Sequence, residues 1–213
     1  MGRVSKESRL LVVGKNSGIK SYEDLLNAKE DIVFSDIGAG GTNSIVMQLL
    51  SALGVPVKQV RGYETVPETV LAIMRGEAKA TVAVYSTIKP NLDSGDIVPI
   101  VQIGQEKLPE FPDVPQLNVL VTSPDQQGLA DLINGCGDIY RLIVAPPGLP
   151  EEVAQTLADA VGKVANNPKF LENAAKANIP IDYLSPEEVL ELAKKMMNLP
   201  DDLKQEVKEI LSN

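Results

Sequence analysis

The chain has 213 residues, 44% hydrophobic and 23% charged, enough apolar material for one large folded domain or two small ones. A net charge of -9, with no basic stripe interleaved with aromatics, argues against nucleic acid as a partner, and the absence of histidine removes every Ser-His-Asp, Cys-His and His-metal mechanism. The lone Cys136 makes neither an internal disulfide nor a metal cluster, and the sequence holds no apolar run of the roughly 18 residues that a transmembrane helix needs.

The N-terminal MGRVSKESRLLVVG has too short an apolar run for a signal peptide. Residues 10–13 (LLVV) are an apolar strand, and Ser21 with Asp24 three residues later opens a helix over 22–29 in capping-box spacing. A strand over 31–35 runs into the glycine bend GAGG and then a helix from about 43 to 53, stopped by Gly54 and Pro56. Strand 57–60 and a bend at Arg61, Gly62 and Tyr63 lead into a helix over 66–75, with Val66, Val70, Ile73 and Met74 on one face and Gly76 at its end. Strands follow at 80–84 and 97–103. Strands separated by helices of this size predict an α/β unit with a largely parallel sheet.

Residues 107–128 are proline-rich and aperiodic, a long irregular connection. A helix over 125–134, a strand over 140–145 and a rigid Pro146-Pro147-Gly148 turn come next. Helices are expected at 150–166, 168–177, 186–197 and 200–211, with starts marked by Asn167 before Pro168 and by Ser185-Pro186-Glu187-Glu188. One strand and several helices are poor material for an independent domain, so the second half reads as part of a lobe.

The bend at 34–50, FSDIGAGGTNSIVMQLL, is the strongest candidate site. A strand leading through glycines into a helix leaves the first backbone N–H groups unpaired and aimed at whatever sits there, an anion site by geometry and by the helix dipole. Gly38, Gly40 and Gly41 permit close approach, and Thr42, Asn43 and Ser44 offer side-chain donors, with Ser35 and Asp36 leading in. The alternative is a plain strand-to-helix turn with Thr42 as its cap. The dinucleotide fingerprint fails because Asn43 stands at the third glycine position, and no P-loop lysine follows. Asp36 would be an adverse charge for a phosphate, so a small carboxylate fits better.

If the strands are parallel, Tyr63 and Thr65 after one strand, and Tyr85 and Ser86 after another, reach the same sheet edge and converge on one crevice; otherwise they are surface turn residues. Arg141 beside an apolar strand either clamps a carboxylate or pairs with a surface acid.

The ordered series KSYEDLLNA, the glycine bend with its helix, RGYETVPETVLAIMRGEAKA, PNLDSGDIVPIVQ, LPEFPDVPQL, RLIVAPPGLPEEV and NNPKFLENAAKANIPIDYLSPEEV covers nearly the whole chain. In order and spacing it resembles the solute-binding receptors of tripartite tricarboxylate transporters, the Bug family. The resemblance implies an α/β, type II periplasmic-binding-protein-like fold of two lobes that close on a small organic carboxylate. Such receptors are extracytoplasmic, are not enzymes, and deliver ligand to a membrane permease; for this chain no cofactor or metal is expected. It implies an N-terminal segment and hinge strand over 1–13, a complete second lobe over 14–101, and a return to the first lobe over 102–213, with strands near 10–13 and 98–103 as the hinge. It also places the glycine bend at the family's carboxylate-binding turn and Arg141 on a strand that faces the cleft; on this reading Gly38 to Ser44 hold one carboxylate and Tyr63 and Thr65 line the pocket.

The family carries a further upstream part, with a signal sequence and a glycine-rich loop for the ligand's other end; an incomplete first lobe is therefore expected, with a possible homo-oligomer covering it. Asp36 and Ile37 replace small hydroxylated residues, and Ser44 stands where a histidine is frequent, which turns the expectation from a simple dicarboxylate toward a ligand with an amino or hydroxyl group. The alternatives are a ligand-sensing domain of the same fold and a truncated, non-binding remnant.

Overall fold

The computed structural model describes every residue except Gly40, Cys136, Asn178 and Asn213, and gives only the backbone at 124, 125, 206 and 210–212. In chain order the elements are β1 (Gly2–Arg3), β2 (Arg9–Gly14), α1 (Tyr22–Leu26), β3 (Ile32–Asp36), α2 (Thr42–Ala52), β4 (Val57–Arg61), α3 (Val66–Arg75), β5 (Ala80–Val84), α4 (Tyr85–Asp93), β6 (Ile97–Ile103), α5 (Leu117–Leu120), α6 (Pro124–Gly135), β7 (Leu142–Ile143), α7 (Glu151–Ala165), α8 (Pro168–Lys176), α9 (Pro186–Met197) and α10 (Asp201–Ser212). The expected helix starts form as read. Both capping boxes close, Ser21 with Asp24 and Ser185 with Glu188, and the Asn167 side chain accepts from the amides of Lys169 and Phe170.

The main sheet runs β4-β3-β5-β2-β6. β3 lies parallel to β4 and β5, whereas β2 is antiparallel to both of its neighbours, β5 and β6. Four of the five strands run the same way, in line with the largely parallel sheet expected, and β2 alone is reversed; strand direction depends on the path of the connections, which residue pattern does not encode. β6 is an edge strand, and its register against β2 shifts where Pro99 faces Val12. An edge position with an irregularity is where a strand tolerates proline.

Alternation along β2 builds two cores. Leu11 and Val13 face one side with Phe34, Val46, Leu49 and Leu50, while Leu10 and Val12 face the other with Val70, Ile73, Ile88 and Ile97. Every β2 residue is buried, as a strand covered on both faces must be. Leu117, Leu129, Ile133 and Leu203 join the first of these clusters. α5, α6 and the terminal α10, all beyond residue 101, thus lie on the same core as α2.

Three further elements differ from the sequence reading. α4 occupies a stretch with no clear apolar period and a proline, Pro90, inside it. The first predicted helix stops at Leu26, and the strand expected over 140–145 shrinks to β7. β7 pairs only with the two residues of β1, and Arg141 immediately before it has a left-handed φ of 51° that breaks extended geometry. β1 also bridges to Leu184, and α7 and α9 pack on this small unit. Leu142, Ile143 and Val144 remain exposed, beside an apolar groove of about 370 Å³ between β7 and α7.

Phe34 is fully buried at the centre of the first core. Phe34→Ala is expected to cost about 3–5 kcal/mol in urea unfolding, and a loss below about 1 kcal/mol would contradict its packing.

Candidate functional site

β3, β4 and β5 end at one edge of the sheet, at Asp36, Arg61 and Val84. β6 runs the same way, since both it and β5 oppose β2, and ends there at Ile103. Because β2 is antiparallel, its first residue reaches this edge: Arg9 stands opposite Val84 and Ile103. The residues just before it, Glu7 and Ser8, are thereby carried to the ends of the other strands.

Arg9 is only 1% exposed. Its Nε donates to Asn43 Oδ1 at 3.1 Å, and its guanidinium lies 5.4 Å from the centre of the Tyr140 ring. Asn43 sits in the first turn of α2. The N-cap is Gly41, with no side chain to satisfy the turn, and the helical bonding begins with the Ile45 amide on the Gly41 carbonyl. The amides of Thr42, Asn43 and Ser44 therefore have no intrahelical acceptor and form a donor cluster beside a buried cation. A Cβ added at Gly38 would meet open space, so the bend is not crowded there. Gly40, also expected to contribute, lies outside the described residues.

A second segment crosses over this end of β2. A Cβ at Gly137 would lie 2.3 Å from the Glu7 carbonyl oxygen, so only glycine allows the two backbones to pass this closely. The crossing is pinned by the Glu7 amide donating to the Gly137 carbonyl at 3.3 Å. It sets Tyr140 over Arg9 and brings Arg141 to 3.8 Å from Glu7 Oε1, with the Arg141 guanidinium 5.3 Å from the same Tyr140 ring. Glu7 is itself buried and accepts from Ser86 Oγ at 2.9 Å. The structure thus joins Asn43, Arg141 and Ser86 through Arg9, Tyr140 and Glu7.

Other expected residues lie elsewhere. Ser35 belongs to the interior: its hydroxyl donates to the Thr69 carbonyl at 2.8 Å, while Thr81 Oγ1 donates to the Ser35 carbonyl, so it ties β3 to α3 and β5 and does not line the cleft. The Ser44 side chain is buried as well, against Gln59 Nε2. Asp36 is buried on the sheet edge, its Oδ2 making no hydrogen bond but standing 3.5 Å from Arg61 Nε. We read this as an ion pair without hydrogen-bond alignment, which supplies Asp36 with a countercharge. Tyr63 packs half-buried on the second core and Thr65 caps α3 without a side-chain bond, so neither joins the Arg9 cluster.

Tyr85 opens α4 and donates to Glu110 Oε1 at 2.9 Å, its ring edge-on to Phe111. Burial pushes its hydroxyl pKa up, and Glu110 adds to this. With Glu7, Ser86, Leu171, Ile179 and Asp182 it lines a cavity of about 740 Å³. Lys6, also on this lining, reaches both Glu106 and Asp182. Among the described residues, no group of three or more acids, cysteines or histidines could hold a metal ion.

Sequence reasoning missed Glu7, Arg9 and Tyr140. The available signal was KESR directly abutting the LLVV strand, charges where a fully buried strand begins.

Burial raises the Glu7 carboxyl above its ordinary 4.5, opposed by Ser86, Arg141 and Arg9. The unfolded chain ionises first, so this group weakens the fold as pH rises from about 4.5 through the folded value. The stability of Glu7→Gln relative to the native protein should therefore climb with pH over this window and level off above it. Urea unfolding at a series of pH values measures it; a difference independent of pH would show that Glu7 is not held this way.

A family model for the tripartite tricarboxylate transporter family receptor matches residues 2–208. No curated protein matches the chain. Among solved structures, the R. palustris protein Rpa4515 with adipate superposes with a TM-score of 0.67 at 16% identity, over 99% of this chain and 67% of its own. MatC from Rhodopseudomonas palustris with bound malate gives 0.62 at 18%, covering 99% and 66%, and the periplasmic binding protein BugD gives 0.63 at 17%, also covering 99% and 66%. The chain therefore spans about two thirds of the length of these structures, and the likeness establishes a periplasmic-binding-protein-type α/β fold. With the match over 2–208, the chain belongs to the tripartite tricarboxylate transporter receptor family.

Proposed function

We propose that this chain is the carboxylate-gripping part of an extracytoplasmic solute receptor that hands its ligand to a tripartite tricarboxylate transporter permease. The observation that carries the reading is the first turn of α2, whose amides and Asn43 present donors next to buried Arg9. A carboxylate there accepts charge-assisted hydrogen bonds and meets the positive end of the helix. Arg141, half exposed at the crossing, is placed to pair with a second acidic group of the ligand. Adipate and malate in two of the solved relatives support a small organic acid as ligand.

In this reading β2 and β6, side by side in the sheet, are the connecting strands, and residues 14–101 supply most of one lobe. Closure of that lobe on a ligand held from both sides gives the permease a shape to recognise, since only the closed form makes both sets of contacts. Binding and release suffice for this role, with no bond made or broken.

A thermal-shift screen with mono-, di- and tricarboxylates, including adipate and malate, tests the reading. A ligand at a hundred times its Kd stabilises the fold by about 2.7 kcal/mol. Stabilisation by one class of acid, reduced by Arg141→Ala, is the expected result; indifference to all of them at millimolar concentration would overturn it.

A further inference from the structure

We infer that Arg9 is a positioning residue that fixes the orientation of the Asn43 carboxamide and so makes the α2 turn selective for anions; this rests on the carboxylate-receptor reading. Arginine has donors and no acceptor, so the group it meets at 3.1 Å must be the carboxamide oxygen. The usual ambiguity between the oxygen and nitrogen of an asparagine side chain is thereby settled by chemistry. With Oδ1 engaged by Arg9, the Nδ2 donors are the part of the carboxamide left for a ligand at the α2 turn.

The lock is stiff at its base. Arg9 is 1% exposed, is the first residue of a central strand, and has the Tyr140 ring against its guanidinium. Gly137 secures this arrangement, since its close passage over Glu7 sets where Tyr140 lies. Without Arg9, Asn43 could turn its oxygen outward and offer an acceptor to the ligand as readily as a donor. With Arg9, Asn43 adds a donor to the amides of the turn, and a deprotonated carboxylate is the group that accepts from all of them.

Asn43→Asp separates this role from a merely structural one. The new carboxylate keeps an oxygen for Arg9 and adds a favourable negative charge to the first turn of α2, so thermal stability should be retained. Its outer branch becomes an acceptor, and affinity for adipate or malate, read by calorimetry, should fall about tenfold or more, the scale of one charge-assisted hydrogen bond. Arg9→Lys, which can still only donate, should bind more tightly than Arg9→Gln, which lets the carboxamide turn over. If the native protein binds and Asn43→Asp binds equally well, the inference is wrong while the receptor reading stands. If the native protein binds none of the mono-, di- and tricarboxylates, the receptor reading fails and takes this inference with it.

Discussion

The contact between Arg9 and Asn43 depends on the direction of a single strand. β2 runs against β5 and β6, so the start of a fully buried apolar strand lies where the other strands end. Had β2 run parallel to them, Glu7, Ser8 and Arg9 would stand at the opposite edge, and the first turn of α2 would have no cation behind it. The direction is held by two antiparallel ladders and by side chains anchored in the cores on both faces. Reversing it would require breaking both sets of contacts together.

Carrying charges to that position is costly unless each finds a partner. Among the described residues at this edge, Arg9, Glu7 and Asp36 are buried and meet the requirement in different ways. Arg9 has Asn43 and the face of Tyr140, Glu7 has Ser86 and Arg141, and Asp36 has Arg61 at ion-pair distance without a hydrogen bond. A fold built for stability alone would fill such positions with apolar side chains. Keeping buried charges along one edge is the pattern expected where electrostatics serve a bound ligand. The cluster also couples two parts of the chain distant in sequence, because Tyr140 and Arg141 arrive only through the close passage of Gly137 over Glu7. A side chain at Gly137 would therefore disturb the site directly, meeting the Glu7 carbonyl oxygen at 2.3 Å and Arg9 Nη1 at 3.8 Å.

Much of the architecture was legible because it rests on local rules. The capping boxes at Ser21 and Ser185, the asparagine cap before Pro168, and the glycine that ends α3 in left-handed geometry all follow from interactions spanning a few residues. The glycine bend was readable for the same reason, since a strand, glycines and polar helix-starting residues in succession describe a helix N-terminus whatever surrounds it. α4 was not legible, because Pro90 and its polar neighbours mask the period, and the helix forms where it can set Ile88 into the second core. Nor was the short β7: an apolar run from 140 to 145 suggests a longer strand, but a strand extends only as far as its partner, here two residues of β1.

The sequence by itself determined the alternation of strands and helices, the family, and the donor-rich turn at Thr42 to Ser44. The alternation and the turn are set by composition and by contacts near in the chain, and the family by the resemblance in order and spacing of the motifs. Tertiary structure alone decided which predicted residues share a site. Ser35 and Ser44 turn inward to bond Thr69 and Gln59, Tyr63 and Thr65 stay with α3, and Arg9, Glu7 and Tyr140 come forward. The physical reason is that a strand's direction, and hence the edge at which its ends emerge, depends on pairing with segments far along the chain, which no local pattern of residues records.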